Sequence, residues 1–124
     1  MKILVPTAGK EAAAEIADYV IRTAKKLNAD LVAMHILRGD EQEQDGHRAC
    51  NVLVGAATQA GIAVETKIGS GDVVQAIIDA ADSTGADMIV MGASKGTLVK
   101  SWLSADVMER CDTPVLVVPH CYGE

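Results

Sequence analysis

Short apolar runs alternate along the chain with longer segments in which apolar residues recur every three or four positions. Such runs are typical of buried β-strands, and the longer segments are typical of amphipathic α-helices. The predicted strands are residues 2–6, 31–37, 62–68, 88–91 and 115–118. The predicted helices are residues 11–27, a segment between the polar stretch 38–47 and Gly61, a segment that bears Val74 to Ala81, and residues 98–110.

Turn-forming residues separate these elements. Gly61 and Gly85 stand where the second and third helices end, a position that favours glycine because the backbone there is left-handed. The turn 69–71 followed by Asp72 predicts a helix N-cap. This turn is not a dinucleotide-binding fingerprint, because Val74 stands where the third glycine would be.

The alternation of strands and helices indicates a parallel sheet. Consecutive parallel strands need right-handed crossovers, and a parallel sheet needs helices on both of its faces. We therefore expect one α/β domain over residues 1–124, built as a three-layer sandwich around a five-stranded sheet. The pattern leaves two strand orders open, 2-1-3-4-5 and 3-2-1-4-5, and both place the fifth strand at an edge.

The fifth predicted strand has an apolar edge. The run 114–119 carries no charged residue, and only Pro114 and Pro119 limit its capacity to pair. An unprotected edge strand pairs readily with another chain. The sequence therefore predicts a two-fold homodimer through residues 115–118.

Charge and composition disfavour several classes of function. Seventeen Asp and Glu against eleven Lys and Arg give a net charge of -6, which disfavours binding to nucleic acid and to anionic membranes. No apolar run approaches the roughly 18 to 20 residues of a membrane span, and the first residues do not resemble a signal peptide. Cys50, Cys111 and Cys121 lie far apart without zinc-ligand spacing, so we expect reduced thiols in a cytoplasmic protein.

Two loops that follow strands are candidate ligand sites, because ligands of open parallel sheets bind beyond the carboxyl ends of the strands. Thr7, Ala8 and Gly9 follow the first strand, and the loop 92–97 follows the fourth. Glycines in the second loop let the backbone approach an anion, and Lys95 adds a positive charge. The order Lys-Gly-Thr differs from the Gly-Lys-Ser/Thr of a P-loop. We expect an anion or nucleotide site of another kind.

No set of residues predicts catalysis or metal binding. His35 lies in an apolar strand with no accompanying nucleophile, so we interpret it as a structural, packed or hydrogen-bonded histidine. The pair His120 and Cys121 is too small for a metal site. Trp102 could be a core, an interface or a ligand-lid residue, and we favour core or interface. The acidic run 40–45 is interpreted as a solvated loop or a lid over the crevice. We therefore expect a protein that binds or regulates and is not an enzyme.

Four parts of the sequence together resemble the universal stress protein family. They are residues 3–7, His35, residues 86–92 and residues 113–118, which occur in the family's order and span nearly the whole chain. The resemblance implies a Rossmann-like fold of the adenine nucleotide alpha hydrolase type. It also selects the strand order 3-2-1-4-5, with a crevice between strands one and four.

The resemblance also implies that the nucleotide motif is incomplete. ATP-binding members carry an acidic residue after the first Pro-Thr, then Gly-x-x-Gly, nine residues, and Gly followed by Ser or Thr. Here Gly92 is kept, but Ala8 replaces the acid and Lys95 the second glycine. Ala105 and Asp106 stand at the final pair. A lost hydrogen bond at Ala8 and repulsion between Asp106 and a phosphate predict weak ATP binding or none.

The implied function follows from these positions. The residues expected to contact a nucleotide are Pro6, Thr7, Ala8, Ile36, Gly92, Ser94, Lys95, Gly96, Thr97, Asp106 and Val107. The expected function is that of a dimeric stress-response or regulatory protein with a protein partner and little ATP affinity. The alternative is a regulatory switch that binds ATP or AMP with low affinity through a rearranged loop 92–97.

Overall fold

The computed structural model describes residues 1–7, 9–92 and 103–119. Within these ranges strands alternate with helices, as the sequence predicts. The strands are β1 Lys2–Thr7, β2 Asp30–Ile36, β3 Val64–Gly69, β4 Met88–Gly92 and β5 Val115–Val118. The helices are α1 Lys10–Leu27, α2 Glu43–Gln59, α3 Val73–Thr84 and α4 Leu103–Arg110.

The five strands run parallel in one sheet, in the order β3-β2-β1-β4-β5. This is the order that the family resemblance implied, and it resolves the choice that the residue pattern leaves open. β1 pairs with β2 on one side and with β4 on the other, so the winding of the chain reverses between β1 and β4. In open α/β sheets, ligands bind in the crevice at such a reversal.

Helices cover both faces of the sheet and bury two cores. On one face, Val20 of α1 and Leu53 of α2 pack with Val5 and other strand residues. On the opposite face, Ile77 of α3 and Val107 of α4 lie in the second core. Successive strand residues enter opposite cores, which is why the strands read as continuous apolar runs.

Residues that the sequence identifies as caps stand at the starts and ends of the helices. The carboxylate of Asp72, the N-cap of α3, accepts a hydrogen bond from the Gln75 N–H at 2.9 Å. Gly85 ends α3 with φ 68°, and Gly61 follows α2 with φ 75°. Both glycines adopt the left-handed backbone that their predicted positions require. None of the helices in the described ranges has the length and apolar character of a membrane span.

α2 begins earlier than the sequence pattern indicates. The pattern places this helix after the polar stretch 38–47, whereas α2 starts at Glu43. Asp45 accounts for the difference, because its carboxylate accepts a hydrogen bond from the Gln42 N–H at 2.8 Å and so caps the first turn. A Cβ at Gly46 would lie 2.8 Å from an isoleucine methyl group of β3. The polar first turn therefore packs closely against the sheet.

The two edges of the sheet differ in how they are protected. β3 forms one edge and carries the exposed Glu65 beside Lys67. β5 forms the other edge, as predicted, and consists of Val115, Leu116, Val117 and Val118. Charged side chains on β3 disfavour pairing with another chain, and β5 has no such protection.

Candidate functional site

The carboxyl ends of β1 and β4 meet where the winding reverses. Ile3 of β1 pairs with Met88 of β4 in parallel register. Thr7 is the last residue of β1, and Gly92 is the last residue of β4. The same register, continued to these ends, places Thr7 opposite Gly92. The two loops that the sequence singles out therefore leave the sheet side by side.

Thr7 ends β1 with a buried side chain. The residue is 7% exposed, and its Oγ1 is buried without a hydrogen-bond partner among the described residues. A buried hydroxyl left in this state costs about 1 to 3 kcal/mol, and folded proteins rarely leave one. Thr7 Oγ1 is therefore a candidate contact for a ligand at the carboxyl end of β1.

The start of α1 lies directly beyond this strand end. Its N-cap is Gly9, which offers no side chain to accept a hydrogen bond from the first amides of the helix. Amides at an uncapped helix start carry partial positive charge and favour anions. Gly92, on the neighbouring strand, is exposed. The mouth of the crevice thus offers a buried hydroxyl and backbone donors to a ligand.

His35 connects the end of β1 with the loop between β2 and α2. The residue is 1% exposed, and its Nδ1 lies 2.9 Å from the carbonyl oxygen of Thr7. Its Nε2 lies 3.3 and 3.4 Å from the two carboxylate oxygens of Glu41. The interpretation of His35 as a hydrogen-bonded histidine is confirmed. The sequence did not identify Glu41, because the loop conformation that brings it to the ring leaves no periodic pattern.

Glu41 receives hydrogen bonds from the backbone as well as from the ring. The Arg38 N–H donates to Oε1 at 2.7 Å. This amide, followed by His35, lowers the pKa of Glu41 below its ordinary value. Because the pKa is lowered, the carboxylate is charged at neutral pH. The Glu41 side chain is one third exposed, so it contacts both the His35 ring and solvent.

Glu41 also lines a cavity of about 530 Å³ that is open to solvent, which we call the acidic cavity. The lining residues are Asp40, Glu41, Asp45, Arg48 and Ala49. The Arg48 guanidinium lies 3.6 Å from an oxygen of Asp45. Three carboxylates against one guanidinium make the cavity negative, which disfavours phosphate groups. The acidic run predicted as a loop or lid is thus partly loop and partly the first turn of α2.

The structure describes part of the predicted site. Pro6, Thr7, Ile36 and Gly92 lie at the carboxyl ends of β1, β2 and β4. The positions that lie outside the described residues are Ala8, Ser94, Lys95, Gly96 and Thr97, together with Trp102, His120 and Cys121.

The remaining predicted contacts, Asp106 and Val107, lie on α4. Asp106 is exposed in the first turn, whereas Val107 is fully buried in the core beside α3. The Arg110 side chain donates to Gln75 Oε1 at 2.7 Å and lies 4.0 Å from Asp72, so it joins α4 to the first turn of α3. This tie holds Val107 in the core and leaves the Asp106 carboxylate in solvent.

Cys50 and Cys111, the cysteines among the described residues, are free thiols. Cys50 is buried, and desolvation raises its pKa to about 11, which keeps the thiol protonated and unreactive. The Sγ of Cys111 accepts a hydrogen bond from the Thr113 N–H at 3.4 Å. Over residues 1–7, 9–92 and 103–119, no group of His, Cys, Asp and Glu is arranged to hold a metal ion.

Comparison with known sequences gives a consistent answer. The model of the universal stress protein family matches residues 39–119. A universal stress protein of Methanocaldococcus jannaschii is 27% identical over 137 residues, which cover 94% of this chain and 81% of the relative. The match therefore extends over both halves of the sheet.

Solved structures of universal stress proteins are similar in fold. One in complex with cAMP has a TM-score of 0.79 at 23% identity and covers 97% of both chains. One from Archaeoglobus fulgidus in complex with dAMP has a TM-score of 0.70 at 22% identity, covering 94% of this chain and 96% of that one. One from Arabidopsis thaliana with AMP bound has a TM-score of 0.76 at 15% identity, covering 100% of this chain and 94% of that one.

Proposed function

Because this chain belongs to the universal stress protein family, we propose that it is a regulatory stress-response protein that acts through protein contacts and binds ATP weakly or not at all. The proposal places it in the cytoplasm as a homodimer, with a regulatory protein as partner and no catalytic step. Its net charge of -6 disfavours nucleic acid as a partner.

The observation that carries the proposal is the placement of Asp106. In ATP-binding members that the sequence resembles, a serine or threonine stands at this position. Here a carboxylate is exposed in the first turn of α4, the part of a helix that would otherwise favour a phosphate. Ala8 removes the acidic group that those members carry after the first strand. Both changes act against a triphosphate nucleotide.

Thermal unfolding with and without magnesium-ATP tests the proposal. A ligand present at a hundred times its dissociation constant stabilises a protein by about 2.7 kcal/mol, which for a chain of this size raises Tm by about 10 °C. We expect a shift below about 1 °C at millimolar magnesium-ATP, measured against magnesium chloride at equal ionic strength. A rise of several degrees would show that the altered site still binds ATP.

A nucleotide switch is the second candidate function, and the buried Thr7 hydroxyl favours it. Its Oγ1 lacks a partner among the described residues, and Thr7 stands two residues before Gly9, the N-cap of α1. The similar proteins solved with AMP and dAMP bind ligands with a single phosphate. A monophosphate carries less charge towards Asp106 than a triphosphate. A shift with AMP but not with ATP in the same melts would establish this second function.

The homodimer proposed here rests on the edge strand β5. Residues Val115 to Val117 are only partly buried, and they form an uncharged edge of a parallel sheet. Val115 packs against the core beside α3 and α4, and Leu116 against the core beside α1. Val117 lies on the same face of the sheet as Val115 and is only partly buried. Two-fold pairing of β5 would cover this edge.

Val117→Lys is expected to convert the dimer to a monomer. The substitution places a charge in the apolar edge that the two copies would share. Light scattering after size-exclusion chromatography measures the mass. Leu27→Lys is the matched control, because Leu27 is 41% exposed at the far end of α1. An unchanged dimer mass in Val117→Lys would rule out this interface.

A further inference from the structure

The two hydrogen-bond partners of the His35 ring are both acceptors. The carbonyl oxygen of Thr7 has no proton to donate, and the Glu41 carboxylate has none when ionised. A neutral imidazole has one N–H and one bare nitrogen, so it satisfies only one of these partners. The imidazolium donates from both nitrogens. Each nitrogen meets an acceptor, so only the doubly protonated ring would satisfy both contacts.

We propose that His35 is a pH-sensitive latch whose doubly protonated ring ties the end of β1 to the β2–α2 loop, and whose loss of a proton from Nε2 releases Glu41. The proton leaves Nε2 because its contacts with Glu41 are 3.3 and 3.4 Å long, whereas Nδ1 holds Thr7 at 2.9 Å. The released proton passes to solvent. The ring keeps its bond to β1, and the loop loses its tie to the sheet.

The loop around His35 carries a net negative charge whether or not Nε2 is protonated. Glu41 faces the ring from the loop, and Asp40, Asp45 and Arg48 line the acidic cavity beside it. From β1 the ring meets a carbonyl group, and its register partner on β3 is the apolar Ile68. Asp45 raises the pKa of Glu41, but the stronger effects of the Arg38 amide and His35 lower it. The carboxylate is thus ionised at neutral pH.

The latch is closed only within a pH window. Glu41 has a lowered pKa, so its contribution to stability is lost as the pH falls through that pKa, below the ordinary value of 4.5. The tie also needs the proton on Nε2, so the contribution of the protonated ring is present at low pH and is lost once Nε2 gives up that proton. His35 therefore holds Glu41 only where the carboxylate is ionised and Nε2 is protonated.

Nitrogen NMR of the histidine rings tests the latch. In the unmodified protein at pH 5.5, both ring nitrogens of His35 are expected to be protonated. In Glu41→Gln, the ratio of imidazolium to imidazole at pH 7 is expected to fall by about three- to tenfold, because the charged acceptor is gone. Amide exchange at residues 38–41, corrected for the intrinsic rate, is expected to quicken by a similar factor. Glu41 is on the surface, so the variant retains both cores.

Two controls make the result decisive. Glu43→Gln removes the same charge from an exposed site at the start of α2, and it should leave the His35 ring unchanged. His47 is exposed and serves as an internal reference whose titration should be the same in every variant. A single protonated nitrogen on His35 at pH 5.5 would overturn the proposal. Equal effects of Glu41→Gln and Glu43→Gln would also overturn it, because they would indicate a general effect of charge.

Discussion

Leu53→Ala is expected to lower the free energy of unfolding by about 3 to 5 kcal/mol. Leu53 lies on α2 with no exposed surface, in the core that α1 and α2 form over one face of the sheet. Truncation removes buried methyl groups and leaves a cavity, because the neighbouring strand residues belong to a sheet that is packed on both faces. Domains of this size have a total stability of about 5 to 15 kcal/mol, so the loss is a large share of it.

Leu27→Ala is the matched control for this prediction. It makes the same chemical change at a residue that is 41% exposed, at the last position of α1. We expect it to cost less than about 1 kcal/mol in urea unfolding. Comparable losses for the two variants would contradict the assignment of Leu53 to a close-packed core.

The alternation of strands and helices was predictable because it depends on features that single residues carry. A strand with one exposed face would alternate apolar and polar residues. Continuous apolar runs of four to seven residues therefore indicate strands that are covered on both faces. Glycines at 61 and 85 and the carboxylate of Asp72 mark helix ends by their own conformational and hydrogen-bonding properties. The pattern alone does not choose between two strand orders, since the handedness rule permits both.

Boundaries were less predictable because they depend on competition between neighbouring hydrogen bonds. Ile62 extends the apolar alternation of the third strand, but its N–H bonds to the Ala57 carbonyl and completes the end of α2. β3 therefore begins at Val64 and not at Ile62. At the other end of α2, Asp45 starts the helix within a stretch whose polarity resembles a loop. Local hydrogen bonds at the helix ends set both boundaries, and hydrophobic periodicity does not reveal such hydrogen bonds.

The places of the candidate residues in the fold were predictable, but their contacts were not. Carboxyl ends of parallel strands at a reversal of winding are general features, so Thr7 and Gly92 could be placed beforehand. The pairing of His35 with Glu41 depends on the conformation of the loop after β2, which no spacing in the sequence encodes. The Thr7 hydroxyl has no hydrogen-bond partner among the described residues, and this too is visible only in the structure.

Restoring the family's residues at two positions is expected to create measurable ATP binding. The double variant Ala8→Asp with Asp106→Ser returns an acidic group after β1 and removes a carboxylate from the first turn of α4. A hydrogen bond to a charged group contributes about 1.5 to 3 kcal/mol. Repulsion between a carboxylate and a phosphate about 5 Å away amounts to about 3 kcal/mol at an effective dielectric of about 20. If the double variant recovers between a third and a half of this total free energy, its affinity for ATP rises by about ten- to a hundredfold.

Isothermal titration with magnesium-ATP measures the change, and a second double variant separates it from a general effect of composition. Ala14→Asp with Asp82→Ser makes the same exchanges at exposed positions on α1 and α3. We expect no gain in affinity from that control, because neither position lies at the carboxyl ends of the strands. If both double variants bind ATP equally, or if neither binds more tightly than the parent, then Ala8 and Asp106 are not what weakens the site.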